Sequence, residues 1–178
     1  SAQNLQRAAE QNGGDFLFGS SVEGILKTSD RVSGVLLSDG KELKAPVVIN
    51  VAGPHSMKIN KLAGAEQDMN IKTKALKVEV SHVKPPIGFH YENDGFVVSD
   101  SDIGCYSRPE SGNHILIGSE DPECDPKIWI DNPDIFNRNV TESQWRAQVY
   151  RCMRRIPTLE EPNRPKGIAD LYDVSDDW

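Results

Sequence analysis

The 178-residue sequence has no long apolar run, no excess of positive charge and no recognisable metal-binding motif. Crossing a bilayer takes about 20 consecutive apolar residues, so the first absence argues against a membrane-spanning protein. The net charge of −7 argues against general binding of nucleic acid, which depends on cationic side chains. The start of the chain is polar and does not resemble a signal peptide. We therefore expect a cytoplasmic protein whose partners include neither a membrane nor nucleic acid.

Cysteine and histidine are both scarce and scattered. Cys105, Cys124 and Cys152 are odd in number and include no C-x-x-C pair, which favours reduced thiols over a disulfide framework. The four histidines form no spacing that would bring two imidazoles to one ion, so we expect no metal site. The charged fraction of 26% is typical of a globular domain and not of a disordered chain.

The first part of the chain predicts a helix followed by a small β-meander. Residues 1–12 carry leucine and alanine at helical spacing, and Gly13-Gly14 supplies the stop. Four runs predict strands: residues 15–19, 22–28, 32–38 and 41–44. Asp39-Gly40 predicts a type I′ hairpin turn, which needs positive φ at both central residues.

The run Val47–Val51 is apolar almost throughout, which is typical of a strand covered on both faces in a parallel sheet. It leads into Ala52-Gly53-Pro54, and residues 55–63 have helical character. A buried strand, a turn of small residues and a helix start allow a ligand to approach backbone N–H groups closely. Such turns are common, so plain turn packing stays open as the alternative.

The remainder predicts an antiparallel sheet with one covered face. The predicted strands are residues 72–83, 95–99, 103–108, 113–119 and 167–174. Residues 121–140 hold three prolines and are predicted to be mostly loop. Thr141–Gln144 is a capping box that opens a helix with one apolar face and solvated arginines near its C-terminal end. A domain boundary is expected near residues 65–72.

Several segments resemble one known family in the same order. They are D-F-L-F-G-S-S-V-E-G-I, R-V-S-G-V-L-L-S-D-G-K-E-L-K, A-P-V-V-I-N-V-A-G-P-H-S, C-Y-S-R-P-E, H-I-L-I-G and D-L-Y-D-V-S-D-D-W. This series resembles the D-amino-acid-oxidase-like family of FAD-dependent oxidoreductases, which includes glycine and sarcosine oxidases and dimethylglycine and sarcosine dehydrogenases. The family's opening G-x-G-x-x-G and its glycine-rich closing segment do not occur here. We therefore expect an internal fragment that alone neither retains FAD firmly nor turns over.

The resemblance implies an α+β fold in two parts. Residues 1–66 would form part of the FAD-binding domain, with a helix, a β-meander, a buried strand and the A-G turn as one βα piece. Residues 67–178 would form the substrate-binding (cap) domain, an antiparallel sheet with flanking helices. The last residues would return toward the FAD domain, whose remainder is an expected partner.

In the parent, the resemblance implies oxidation of an amine substrate, an amino acid or N-methyl amino acid, by hydride transfer to flavin N5 and hydrolysis of the imine. Arg108 is the first candidate for binding the substrate carboxylate, because a guanidinium offers two parallel hydrogen bonds. Tyr106 shares its strand face, and Tyr91 and His90 are further candidates. No catalytic residue is assigned. The alternatives are a surface arginine beside Pro109 and a tyrosine that only packs in the sheet.

The same resemblance implies three cofactor-binding positions. The backbone of Val22 would meet the adenine, and Ala52 and Gly53 would lie against the ribose and pyrophosphate, where small residues allow close approach. Two other classes stay open: a non-catalytic ligand-binding or interaction module, and another α/β enzyme that uses residues 52–56 as a catalytic turn. A hydrolase would need G-x-S-x-G, whose first glycine is missing.

Overall fold

The computed structural model describes residues 1–120 and 122–177, and they form two compact units. The first unit comprises Ser1–Ala52 and Ser56–Asn70. The second comprises Gly53–His55 and the described residues from Ile71 onward. The predicted α+β class with antiparallel sheets is confirmed, whereas the assignment of the two parts to FAD and to substrate stays a prediction. Within the described residues, no helix has the length and apolar composition needed to span a membrane.

The first unit contains helices α1 (Ala2–Gln11) and α2 (Ser56–Ala63) and an antiparallel sheet of β1 (Val22–Thr28), β2 (Arg31–Leu37) and β3 (Glu42–Lys44). The helix, the meander and the hairpin are confirmed. The turn type is not, because only Gly40 of the Asp39-Gly40 pair has a positive φ, 84°. Gly40 N–H donates to the Leu37 carbonyl at 2.9 Å, which closes a turn followed by a glycine bulge.

Two strands predicted in the first unit do not form. Residues 15–19 and 47–51 pair with no strand in the described part of the chain. Their apolar side chains are exposed, Phe18 to 73% and Val51 to 87%. An apolar run becomes a parallel-sheet strand only beside neighbours that take its backbone hydrogen bonds, and no described strand does so. The expected βα piece therefore reduces to the 3-10 turn Gly53–His55 and helix α2, which do form.

The second unit is built on a six-stranded antiparallel sheet of order β5-β6-β7-β4-β8, with β9 also paired to β4. Its elements are β4 (Thr73–Val83), α3 (Tyr91–Asp94), β5 (Val98–Asp100), β6 (Cys105–Glu110), β7 (His114–Ser119), β8 (Ile128–Ile130), α4 (Glu142–Met153) and β9 (Gly167–Ser175). The predicted strands are confirmed, but the one expected at residues 95–99 is shifted to β5. The stretch predicted as loop contains the short strand β8, which its prolines and polar residues conceal.

Helix α4 covers one face of this sheet. Its buried residues Trp145, Val149 and Cys152 belong to the same core cluster as Ile115 and Ile117 of β7. The predicted apolar face of the helix is thereby confirmed, with Met153 and Ile156 packed partly buried against the cluster.

The helix begins where the capping box predicts. The Thr141 hydroxyl accepts the N–H of Gln144 at 3.3 Å. The reciprocal bond of a capping box is replaced, because the Thr141 N–H donates to the carboxylate of Glu79 at 2.6 Å. A residue of the central strand therefore completes the helix start.

Strand β4 has a gap on one edge, and Gln148 fills it. Residues 75–77 pair with β8 and residues 80–83 with β7, which leaves Val78 and Glu79 without a strand partner on this edge. The fully buried Gln148 accepts the Ser81 N–H (3.1 Å) and hydroxyl (2.6 Å) through Oε1. Its Nε2 donates to the Glu79 carbonyl at 2.6 Å. The side-chain amide thus supplies hydrogen bonds that a neighbouring strand would otherwise make.

The Glu79 carboxylate is buried beside the same gap and has a full set of partners. Lys77 Nζ donates to it at 2.7 Å, and both side chains are almost completely buried. The Thr141 N–H and hydroxyl bind its other oxygen, and Lys77 also donates to the Asn139 carbonyl at 3.2 Å. The ion pair therefore fastens the start of α4 to β4 without leaving a buried charge unpaired.

Asp125 fixes the loop that precedes β8. Arg151 of α4 forms a bidentate pair with it, one bond of which measures 2.8 Å, and Ser119 and Gln144 also donate to it. Burial favours a higher pKa for Asp125, but these hydrogen bonds, led by that from Arg151, outweigh it and lower the pKa to about 2. The Arg151 side chain is only 16% exposed, so the expectation of a solvated arginine is wrong at this position.

Replacing Gln148 by leucine should lower the free energy of unfolding by about 3 kcal/mol, because the Ser81 N–H and Glu79 carbonyl lose their partner while staying buried. Urea denaturation followed by circular dichroism measures this. The matched control is Gln11→Leu at the exposed end of α1, which should change stability by less than about 0.5 kcal/mol. Equal effects of the two substitutions would contradict the bridging role of Gln148.

Asp125→Asn should cost about 2 kcal/mol at pH 7, from a folded-state pKa near 2 against about 3.9 in the unfolded chain. A lowered carboxyl pKa stabilises the fold above the unfolded-state value, and this contribution disappears as the pH falls through the folded-state value. The stability difference between wild type and variant should therefore shrink between about pH 4 and pH 2. Denaturant unfolding of both proteins at several pH values measures it, and a pH-independent difference would refute it.

Candidate functional site

Tyr106 and Arg108 lie on the sheet face that α4 does not cover. They are two residues apart on β6, so their side chains point to the same side. Cys105, which precedes Tyr106, and Ser107, which lies between the two, point to the core and are buried. In the antiparallel register, Tyr106 is opposite Gly118. The structure thus brings together Arg108 and Tyr106, the first two candidates predicted from the sequence for substrate binding.

Tyr172 of β9 joins this pair. Burial is the main cause that raises the pKa of Tyr106, the Tyr172 hydroxyl raises it further through a hydrogen bond, and Arg108 opposes the shift. The phenol of Tyr106 therefore stays protonated at neutral pH and can donate a hydrogen bond to an anion. Tyr172 belongs to the D-L-Y-D-V segment that resembles the family, but no site role was predicted for it. The alternation of residues along β9 indicates the side of the strand on which Tyr172 lies. Its position near β6 depends on the order of the strands in the sheet, which alternation does not predict.

Gly118 of β7 makes room for the ring of Tyr106. A Cβ added at Gly118 would overlap the outer ring atoms and hydroxyl of Tyr106. Gly118 has no left-handed backbone conformation, so the requirement for glycine is purely steric. The missing side chain lets the Tyr106 ring lie across β7 toward β9, where Tyr172 is found.

A cavity of about 370 Å³ opens between Tyr106 and Tyr172. Its lining includes residues from both faces of β4, so it passes through the gap between β7 and β8. Polar groups that line it include Glu79, Tyr106, Ser119, Thr141, Gln144 and Tyr172. The two tyrosines therefore line a recess that both apolar and polar groups form at the gap between β7 and β8.

Arg108 is held loosely. Its side chain is 49% exposed, and its ion pair with Glu110 on the same strand measures 3.5 Å. A guanidinium has five N–H donors in a planar fork, and one long contact to a flexible carboxylate leaves most of them facing solvent. The group can therefore bind an incoming carboxylate without first breaking a buried interaction.

The structure does not bring Tyr91 and His90 to this face. Tyr91 is 5% exposed and belongs to the core cluster on the opposite side of the sheet. Its hydroxyl donates to the Phe96 carbonyl at 3.1 Å and lies 3.3 Å from the Ser107 hydroxyl. His90 is exposed at the start of α3. The sequence does not distinguish a buried tyrosine whose hydroxyl is hydrogen-bonded from a tyrosine at the surface. The prediction that Tyr91 lies at the candidate site therefore had no local pattern to correct it.

The predicted cofactor positions lie in different units, Val22 and Ala52 in the first and Gly53 in the second. Gly53 has a φ of 55°, and a Cβ added there would meet no atom within 4 Å. It lines a cavity of about 480 Å³ together with Pro54 and residues 171–175. The Ala52 N–H already donates to the Asn50 side chain at 3.1 Å. The backbone of Gly53 is therefore open to close approach from this cavity.

The chain belongs to the FAD dependent oxidoreductase family DAO, whose family model matches residues 1–177. The resemblance found in the sequence is thereby confirmed, and the family's cofactor is FAD.

Individual relatives share the fold at low identity. Hydrogen cyanide synthase subunit HcnC of Pseudomonas aeruginosa is 25% identical over 170 residues, which cover 96% of this chain and 36% of that protein. The structure is similar to L-proline dehydrogenase from P. horikoshii, with a TM-score of 0.75, 18% identity, and coverage of 98% of this chain and 43% of that one. Glycine oxidase from Geobacillus kaustophilus gives a TM-score of 0.69, 20% identity, and coverage of 99% and 42%. The chain therefore spans less than half the length of these relatives.

Gly118→Ala should push the Tyr106 ring off the sheet and remove its proximity to Tyr172, at a cost of about 1–3 kcal/mol from overpacking. Cross-peaks between the two rings in NMR spectra report the displacement. In a Tyr106→Ala background the same glycine substitution should be nearly free, since the clashing ring is gone. Additive costs in the double variant would rule out the ring as the reason for glycine at this position.

Proposed function

We propose that this chain is part of a longer FAD-dependent oxidoreductase that oxidises a small amine, either an amino acid or an N-methyl amino acid. Membership of the family and the coverage of only 36% of the curated relative support a longer parent. The names of the fold relatives, a proline dehydrogenase and a glycine oxidase, support an amino-acid substrate. When bound, FAD would supply the hydride acceptor, flavin N5, and the resulting imine would hydrolyse.

The observation that carries this proposal is the grouping of one guanidinium and two phenols on the uncovered sheet face. Arg108 binds the substrate carboxylate with two parallel hydrogen bonds and releases its long contact to Glu110. Tyr106, protonated at neutral pH, turns its single O–H from Tyr172 to the same carboxylate and donates a further hydrogen bond to it. Fixing the carboxylate at this end of the substrate orients its C–H bond for transfer. Tyr91 and His90 have no part in this arrangement.

Val22, Ala52 and Gly53 are the residues proposed to contact the cofactor. Gly53 and Ala52 lie against the ribose and pyrophosphate, where small side chains allow close backbone approach, and the backbone of Val22 meets the adenine. Residues 1–66 then belong to the FAD-binding domain and residues 67–178 to the substrate domain. The isolated chain neither holds FAD firmly nor turns over.

The test replaces Arg108 by leucine in the full-length, FAD-loaded protein and follows loss of oxidised-flavin absorbance under anaerobic conditions with glycine and L-proline as substrates. Loss of a charge-assisted bidentate contact should raise the apparent Kd for the substrate about 30- to 100-fold, and Arg108→Lys should recover only part of it. Arg154→Leu, at an exposed arginine that follows the last residue of α4, is the matched control and should leave reduction unchanged.

Unaltered substrate affinity in Arg108→Leu would refute the carboxylate role of this residue. Failure of the wild-type flavin to be reduced by any amino acid or N-methyl amino acid, L-proline included, would refute the proposed substrate class.

A further inference from the structure

A third cavity lies at the end of β4, and it shares no lining residue with the recess at Tyr106 and Tyr172 or with the cavity at Gly53. Its volume is about 410 Å³, and it is formed by the ends of β4 and β7 and by the segment that leads into β9. Its lining includes the polar residues His82, Lys84, His114, Glu160, Arg164 and Lys166. The Lys166 carbonyl accepts the His82 N–H at 2.8 Å, which fixes these two residues side by side.

The charge of the cavity is positive in a chain whose net charge is −7. Lys84, Arg164 and Lys166 make no ion pair with any described residue, although each is exposed. Of the two carboxylates in the lining, Glu161 is occupied by the Tyr150 hydroxyl at 2.9 Å and lies 3.7 Å from an arginine of α4. Three unpaired cations therefore face one free carboxylate, Glu160.

One residue that lines the cavity carries an unsatisfied hydrogen-bonding group. His82 Nε2 is buried and has no hydrogen-bond partner among the described residues. Buried polar atoms are nearly always bonded, so an orphaned nitrogen in a cationic cavity indicates a partner from outside the chain. Burial, followed by Lys166, His114 and Arg108, lowers the pKa of His82, with Glu110 opposing. The imidazole is therefore neutral at pH 7 and becomes easier to protonate when a negative charge arrives.

We propose that this cavity binds a small oxyanion of the phosphate or carboxylate type. Arg164 and Lys166 pair with its charge, Lys84 adds a third cation, and His82 donates a hydrogen bond from Nε2 to an oxygen. Arginine and lysine recognise such anions through charge-assisted hydrogen bonds, and a concave site excludes competing water. The site needs no flavin and stands apart from the proposed oxidation.

The test titrates the isotope-labelled chain with inorganic phosphate at pH 7 and constant ionic strength, and follows the imidazole resonances of His82 and His114 by NMR. We expect saturable shifts and a rise of the His82 pKa in the presence of phosphate. The groups around His82 in this titration are Lys84 just after its own strand, Arg108 and Glu110 from β6, His114 from β7, and four residues of the segment before β9, namely Glu160, Glu161, Arg164 and Lys166.

The variants are Arg164→Gln and Lys166→Gln, whose exposed side chains can be replaced without disturbing the fold, as circular dichroism checks. Each should weaken phosphate binding about tenfold, and Arg154→Gln, an exposed arginine outside the cavity, should leave it unchanged. A parallel titration with succinate separates the two sources, because tighter binding of either anion assigns its class. Shifts that do not saturate, that chloride reproduces, or that Arg154→Gln reduces equally would overturn the proposal.

Discussion

The candidate site and the core of the second unit both depend on how the interrupted edge of β4 is satisfied. Strands β7 and β8 each cover part of that edge, and Gln148 supplies the hydrogen bonds between them. Without the amide, backbone groups of β4 would be buried and unpaired, at a cost of about 1–3 kcal/mol each. With it, the sheet can stay open at this point, and the polar recess at Tyr106 and Tyr172 occupies the opening. One buried side chain therefore supports both the stability of α4 on the sheet and the shape of the candidate site.

Local patterns predicted most of the elements, because their physics is local. The strand β4, the apolar face of α4 and the hydroxyl cap at Thr141 are written in adjacent residues, and each is confirmed. The alternation along β4 is misleading about its faces, because Lys77, Glu79 and Ser81 are buried while Val78 and Val80 are only partly buried. The strand predicted at Val47–Val51 is wrong because a strand needs partners, and an apolar run carries no information on whether they are present. The Asp39-Gly40 turn was predicted as the wrong type, since the same dipeptide also suits a turn with a glycine bulge.

The candidate site was predictable only as far as a single strand reaches. Tyr106 and Arg108 share a face because they are two residues apart, which alternation alone establishes. Tyr172 reaches the candidate site because β9 pairs with β4, and the register between strands is set by long-range contacts. Thr141, which binds Glu79, and Gln148, which binds Ser81, lie 62 and 67 residues away along the chain. Such buried polar pairs satisfy each other only once the sheet and helix have met, so no sequence window contains both.

The short turn Gly53–His55 belongs by its contacts to the second unit, while the residues on both sides of it belong to the first. It packs against β9 and β4, whose own residues begin only after Ile71. No single cut in the chain therefore separates the two units cleanly. Recombination at one breakpoint, which exchanges domains in many modular proteins, would separate this turn from the unit that it packs against. The two units are therefore expected to have been inherited together.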